Sequence, residues 1–435
     1  MSTFQDIIGY SVEKKELEQI ADVLKNKAVY EKLGVSLPRG LVLYGEPGVG
    51  KTTMANALIE ASGRRAYICR KNRPNGDFVR EINEIFNKAV KGAPSIVFLD
   101  DLDKFANEDE EHRDAEEYVT VQSCIDEIKG EDVFVLATAN SIRNMPDSLI
   151  RAGRFDRVIE IEPPRGTDAE KIIEHYCANK KLGEKINIKT IARILNGRSC
   201  AELETIINEA GLYAGYNREN EISMEHVIKA CVRTIYNRPD FTFGNRKNII
   251  DMDNKNSVYT QVVYHEAGHT VISEILCPQS VTFVMAMAHR ENGFTQYYND
   301  NSLNSLRWRQ SRIISSLGGI AAEDQKLGII CSGNEDDLDK AFAAVGDLVV
   351  DNCVCGFQFH SVGYRSSSNE LKARREYVVS AEIERYYHIA KEIIAENTEF
   401  LDKIARKLAE TGLLTMDEIQ KLNSSCKIPY FDNWR

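Results

Sequence analysis

Short apolar runs alternate with longer amphipathic stretches through the first third of the chain. LVLY (41–44), AYIC (66–69), SIVFL (95–99), VFVLAT (133–138) and VIEI (158–161) predict strands, and the segments between them carry helical spacing. That alternation predicts a parallel sheet covered by helices on both faces. From about residue 166 the pattern is helical without strands, through DAEKIIEHYCANKKL, CAELETIINEAGLYAGY and SMEHVIKACVRTIY. Residues 237–256 are polar and broken by Pro and Gly, which predicts a linker. A second unit, mostly helical, starts near Ser257, with one strand region around SVTFVMAMAH and final helices over roughly 376–424. The expected organisation is an α/β domain over 1–165, a helical lid over 166–236, the linker, a second domain over 257–425 and a short aromatic tail over 426–435.

Composition narrows the picture only a little. The chain has 435 residues, 43% hydrophobic and 28% charged, which suits two or three globular domains. Its formal net charge of -11 argues against a nucleic-acid partner, since a general phosphate-binding surface needs a basic excess. The ten cysteines show no CxxC repeat and read as reduced thiols. The start, MSTFQDIIGYSVEKKEL, has no basic and apolar signal pattern, and no apolar stretch is long enough to cross a bilayer. A soluble, cytoplasmic protein with no intrinsic membrane span is the expectation.

Two motifs carry chemistry. GEPGVGKT (45–52) fits G-x-x-x-x-G-K-T, follows an apolar run and precedes the helix-compatible TTMANALIEA. Gly45, Gly48 and Gly50 let the backbone curl so that its N–H groups face phosphate. With Glu46, Pro47, Val49 and Thr53 they form the expected nucleotide-binding set, in which Lys51 supplies charge to the β- and γ-phosphates of ATP and Thr52 offers a hydroxyl to Mg²⁺. The run SIVFLDDLD then supplies acids at a strand end, with Asp100 for the Mg²⁺ shell and Asp101 to orient the attacking water.

The second motif is H-E-x-x-H in VVYHEAGHTVISEIL (262–276). On a helix, His265 and His269 share a face and can ligate one Zn²⁺, with Glu266 placed as general base. Val262, Ile272 and Leu276 continue the same stripe, which predicts imidazoles pointing inward. Burying two histidines and a glutamate together is costly without a compensating ion. A third protein ligand is needed, and the residues leave Glu274, Glu323 and the cluster NEDDLD (334–339) open.

Over residues 4–425 the chain resembles the FtsH-type AAA proteases, through FQDIIG, LGVSLPRGLVLYGEPGVGKT, SIVFLDDLDK, LATANSIRNMPDSLIRAGRFDRVIEI, SCAELETIINEAGLYA, LGGIAAE and CSGNEDDLDKA. The resemblance implies an α/β AAA-type P-loop ATPase domain with a helical lid, followed by a mainly α-helical zinc metallopeptidase domain. It implies that Asn140 senses the γ-phosphate and that Arg154 and Arg157 are arginine fingers acting on a neighbouring subunit's nucleotide. It points to Asp337 as third zinc ligand and to Glu323 as a supporting acid. It also implies protein substrates that are unfolded or tagged, a homo-hexameric ring and room for an adaptor. Because the sequence begins almost at the ATPase module, a form without the family's N-terminal transmembrane portion is the expectation. Asp101 stands where the family has Glu, so slower hydrolysis is expected. The segment CRKNRPNGDFVREINEIF lacks the family's aromatic–hydrophobic–glycine pore element, and Phe78 is the aromatic nearest its start. Two rival readings follow from these departures: a remodelling ring with a decayed half, and a peptidase that uses nucleotide only to assemble.

Overall fold

The computed structural model describes residues 4–35, 37–71, 75–106, 115–143, 145–151, 153–184, 186–237, 254–287, 292–298, 305–330, 332–356 and 368–425. The chain divides into two compact units, Met1–Asn237 and Arg238–Arg435. Most of the linker expected at 237–256 and the whole tail 426–435 lie outside the described residues.

In the first unit, helices α1 (Ser11–Lys25) and α2 (Lys27–Lys32) precede β1 (Gly40–Tyr44) and α3 (Lys51–Ser62). Then come β2 (Arg65–Cys69), α4 (Asn75–Lys91), β3 (Ser95–Leu99), α5 (Glu116–Glu127), β4 (Val133–Ala139) and β5 (Arg157–Glu160). The five strands form one parallel sheet in the order β2-β3-β4-β1-β5. Burial follows position in the sheet. Every residue of the interior strands β3 and β4 is buried, as expected for strands covered on both faces. The edge strands are half-open, and Ile68 on β2 is largely exposed.

Parallel order places the carboxyl ends of β1, β3 and β4 side by side, and ligands of open α/β sheets bind at such ends. The glycine loop follows β1, the two aspartates follow β3, and Asn140 follows β4. The helical stretch after the sheet forms α6 (Gly166–Cys177), α7 (Ile188–Ile194), α8 (Cys200–Tyr216) and α9 (Met224–Tyr236). Ser199 and Glu202 close a reciprocal cap at the start of α8. That cap brings α8 onto the glycine loop, where the Ala201 N–H donates to the Gly48 carbonyl at 3.1 Å.

The second unit is built around α10 (Val258–Leu276). Every residue from Glu266 to Ile275 is buried, so this helix is surrounded rather than lying on a surface with one apolar stripe. Ile272 is fully buried, whereas Val262 and Leu276, expected on the same inward stripe, are half-buried. The neighbours of α10 include the antiparallel β6 (Val281–Met287) and β7 (Asn292–Tyr297), then α11 (Leu306–Ser316) and α12 (Gly318–Leu327). The unit continues with α13 (Glu335–Val350), α14 (Asn369–Glu396), α15 (Thr398–Thr411), β8 (Leu413–Thr415) and α16 (Met416–Ser424). A single strand region is expected from the sequence; the structure has a three-stranded sheet, β7-β6-β8. No helix among the described residues is long and apolar enough to cross a membrane.

Candidate functional sites in the two units

In the first unit the glycine loop curls between β1 and α3, with Gly50 at φ 100° leading into the helix. Lys51, at the first position of α3, is nearly buried. Its ammonium donates to the carbonyls of Gly45 at 2.7 Å and Glu46 at 2.9 Å, and to Asn140 Oδ1 at 3.0 Å. Burial lowers its pKa, against the opposing pull of Asp103, Asp101 and Asp100. The loop lysine and Asn140 are therefore joined directly, across 89 residues of sequence.

Asp100 is buried at the end of β3, and its Oδ1 accepts from Thr138 Oγ1 at 2.7 Å and lies 3.4 Å from Thr52 Oγ1. Thr52 and Asp100, the two expected Mg²⁺ partners, thus face each other. Asp101 adopts a left-handed backbone at φ 55°. Few non-glycine residues do so, and such positions cluster where function dictates geometry. Its N–H donates to Thr138 Oγ1 at 2.9 Å, and its carboxylate accepts from Lys104 at 2.9 Å. Thr138 supports both acids, a role that the sequence pattern alone does not announce.

The two arginines expected as fingers are differently placed. Arg154 is 7% exposed and is held within its own unit by Asp126 Oδ2 at 2.7 Å, the Ser148 carbonyl and Gln122 Oε1. The Arg154 guanidinium in turn holds the Asp126 carboxyl well below the usual carboxylate range. Arg157, on the edge strand β5, has an exposed side chain that lies 3.9 Å from Glu16. Phe78 is fully buried edge-on against Phe105, so it serves the core rather than a substrate grip. The neighbouring residues 72–74 lie outside the described residues.

In the second unit the geometry converges on one point. His265 Nε2 and His269 Nε2 are 2.9 Å apart, and Asp337 Oδ2 lies 3.1 Å from the first and 3.2 Å from the second. The outer nitrogen of each ring has its own acceptor. The Nδ1–H of His269 donates to the Ser315 carbonyl at 2.7 Å, and that of His265 to Glu323 Oε1 at 3.0 Å. Glu323 is held in turn by Asn334 Nδ2 at 3.1 Å. These outer bonds fix the tautomers and turn both Nε2 atoms inward. Two ring nitrogens and a carboxylate oxygen aimed at each other form a set of electron-pair donors suited to a cation, and His-His-Asp is a zinc donor set. A proton can take that place. Burial opposes charge on His265, but hydrogen bonds to Asp337 and Glu323 outweigh it and raise the ring to about 10. Burial alone would raise Asp337; the two imidazoles instead hold it far below the usual carboxylate range.

Of the acids left open in the sequence, Asp337 at the start of α13 reaches the two rings. Asp336 and Glu335, beside it, are exposed. Glu274 is committed elsewhere: it accepts from the backbone N–H groups of Gln279 and Val281 and from Gln420 Nε2, tying the entry to β6.

Glu266 is buried between the two histidines in sequence and accepts from Thr295 Oγ1 at 2.6 Å. Burial raises its carboxyl, although His265 and His269 pull the other way. Thr295 lies on β7, a strand that the polar sequence NGFTQY conceals. The strand passes so close that a Cβ on Gly293 would fall 2.3 Å from Glu266 Cγ. A Cβ on Gly319, in LGGIAAE, would fall 2.4 Å from His265 Cε1. Both glycines are therefore walls of the site.

Residues 41–163 match the ATPase family associated with various cellular activities (AAA), and residues 249–422 match peptidase family M41. The ATP-dependent zinc metalloprotease FtsH of Ureaplasma parvum is 31% identical over 460 residues, covering 98% of this chain and 61% of that protein. The protein of the same name from Caldicellulosiruptor bescii is 29% identical, over 97% of this chain and 72% of its own length. ATP-dependent zinc metalloprotease FtsH 2 of a Thermoanaerobacter species is 29% identical, over 97% and 82% respectively.

Proposed function

We infer that this chain, which belongs to the FtsH-type family joining an AAA ATPase domain to an M41 zinc peptidase domain, couples ATP hydrolysis to cleavage of peptide bonds in unfolded or tagged proteins. The observation that carries the reading is the convergence of His265, His269 and Asp337 beside a buried Glu266. The ATPase is assigned to 1–165 with its helical lid over 166–236, and the peptidase to 257–425.

Zinc held by the two Nε2 atoms and Asp337, when bound, polarises the scissile carbonyl and acidifies a water. The residues do the rest. Glu266 takes the proton of the attacking water and returns it to the leaving amine. Its burial supports that role, because a raised carboxyl pKa gives a base nearer neutrality. Thr295 fixes the carboxylate so that it enters the reaction without a rotamer search. Glu323 and Ser315 hold the rings, Gly319 leaves room for the His265 ring and Gly293 for the Glu266 side chain.

In the ATPase half, Lys51 balances phosphate charge, Thr52 and Asp100 present oxygens to the magnesium that accompanies ATP, and Asp101 orients the attacking water. Asn140, bonded to Lys51, reports phosphate occupancy at that lysine. Completion of the site by Arg157 from a neighbouring copy is part of the proposal, and with it a homo-hexameric ring. Arg154 serves the fold of its own copy. An adaptor is compatible with the proposal.

Peptide release from unfolded casein tests the reading. ATP supports cleavage, while a non-hydrolysable analogue or a zinc chelator stops it. Equal cleavage with ATP and with the analogue would replace the coupled reading by an ATP-independent peptidase.

A further inference from the structure

The end of β2 carries a residue that the ATPase chemistry above does not use. Arg70 is the first residue beyond β2, and Asp100 is the first beyond β3. The two strands are paired in register, Cys69 opposite Leu99, and the Asp100 N–H donates to the Cys69 carbonyl at 2.9 Å. Strand pairing therefore fixes Arg70 and Asp100 as neighbours. The Arg70 guanidinium donates from Nη2 to Asp100 Oδ2.

The carboxylate is divided between two kinds of partner. Its Oδ1 is taken by the hydroxyls of Thr138 and Thr52, and its Oδ2 by Arg70. A buried carboxylate needs a countercharge. Asp100 has a side chain 4% exposed, and Arg70 reaches it from solvent with a side chain 61% exposed. The next residue is anchored separately: Lys71 donates to the Phe105 carbonyl at 2.7 Å and pairs with Glu117 at 3.6 Å. The side chain of Lys71 is thus tied down while the exposed guanidinium of Arg70 borders water.

We propose that Arg70 is a built-in competitor of magnesium at Asp100, its guanidinium weakening the hold of that carboxylate on the metal of a magnesium–nucleotide complex until it swings away. Thr52 faces Oδ1 and Arg70 holds Oδ2, so a divalent cation and the guanidinium would draw on one and the same carboxylate charge. Departure of Arg70 breaks one charge-assisted bond, and rehydration of an exposed side chain offsets most of the loss. The competition is therefore modest, about three- to tenfold in apparent magnesium affinity. It raises the magnesium level at which the site fills and opposes idle turnover. The inference rests on residues 1–165 being an ATPase.

The test uses the full chain and N-methylanthraniloyl-ADP as fluorescent probe. Its dissociation constant is measured with EDTA and with saturating Mg²⁺, and the ratio of the two gives the tightening due to magnesium. In R70Q that ratio is expected to be about three- to tenfold larger than in the wild type. R70K keeps the charge but loses the planar fork, so it falls between the two. A ratio in R70Q equal to or below that of the wild type overturns the competition while leaving the ATPase reading intact. A wild-type chain that binds no probe in either condition overturns both.

Discussion

The Nδ1–H of His265 donates to Glu323 at 3.0 Å, on the side of the ring turned away from Asp337. This geometry supports the proposed roles, Glu323 as an orienting acid and Asp337 as a ligand. Asp337→Ala is expected to remove bound zinc. Glu323→Gln should retain zinc with affinity lowered by about 10- to 100-fold, the usual effect of losing an outer hydrogen bond to a ligating histidine. Zinc analysis after dialysis against a graded chelator distinguishes the two. The reverse ranking would exchange the roles.

Gly319→Ala brings two opposing effects into one position. On an exposed helix face the change would stabilise by about 1 kcal/mol. Here the new methyl group meets the His265 ring at 2.4 Å, and the ring is held by Glu323 and Asp337. The expected result is a net loss of about 1–3 kcal/mol, together with weaker zinc binding. Thermal unfolding with and without zinc reads both. Unchanged zinc affinity would show that the ring adapts freely.

Asp101 is one methylene shorter than the acid its position has in the family, and its carboxylate rests on Lys104. Asp101→Glu is expected to raise ATP turnover by about tenfold, since small errors in positioning a nucleophile are costly. Lys51→Ala should lower turnover by about 100-fold or more, because it removes the cation aimed at the phosphates. Steady-state phosphate release measures both. Turnover indifferent to Lys51→Ala would exclude this site as its source.

Arg154 is predicted to act first on stability. Its guanidinium joins Asp126, Ser148 and Gln122 inside one copy, so Arg154→Ala should cost about 1–3 kcal/mol even when the chains are dilute enough to be monomeric. Urea unfolding at low protein concentration measures this. Wild-type stability combined with lost ATP turnover would instead favour a role across subunits.

Much of this architecture was legible in the pattern of the chain. The five strands of the first sheet fall within a residue or two of their apolar runs, and the interior ones, buried on both faces, leave a continuous apolar signal. The HEAGH helix was legible from its spacing. The third ligand was not: a cluster of acids has no period, and the resemblance, rather than the residues, pointed to Asp337. Strands β7 and β8 are short and partly polar, so they leave almost no pattern. Thr295 was hidden with the first of them. Ser315 contributes a backbone carbonyl, which any residue could supply. The resemblance makes Arg154 a finger and gives Arg70 no role, and only the fold buries the first and sets the second against Asp100.

In the proposed reaction Glu266 acts as a base beside a zinc held by its two flanking histidines. Peptide release from unfolded casein at saturating ATP, wild type beside Glu266→Gln, tests this most directly. The prediction is a loss of about 100-fold or more in cleavage, with zinc content and ATP turnover unchanged. Cleavage by Glu266→Gln at the wild-type rate would contradict it.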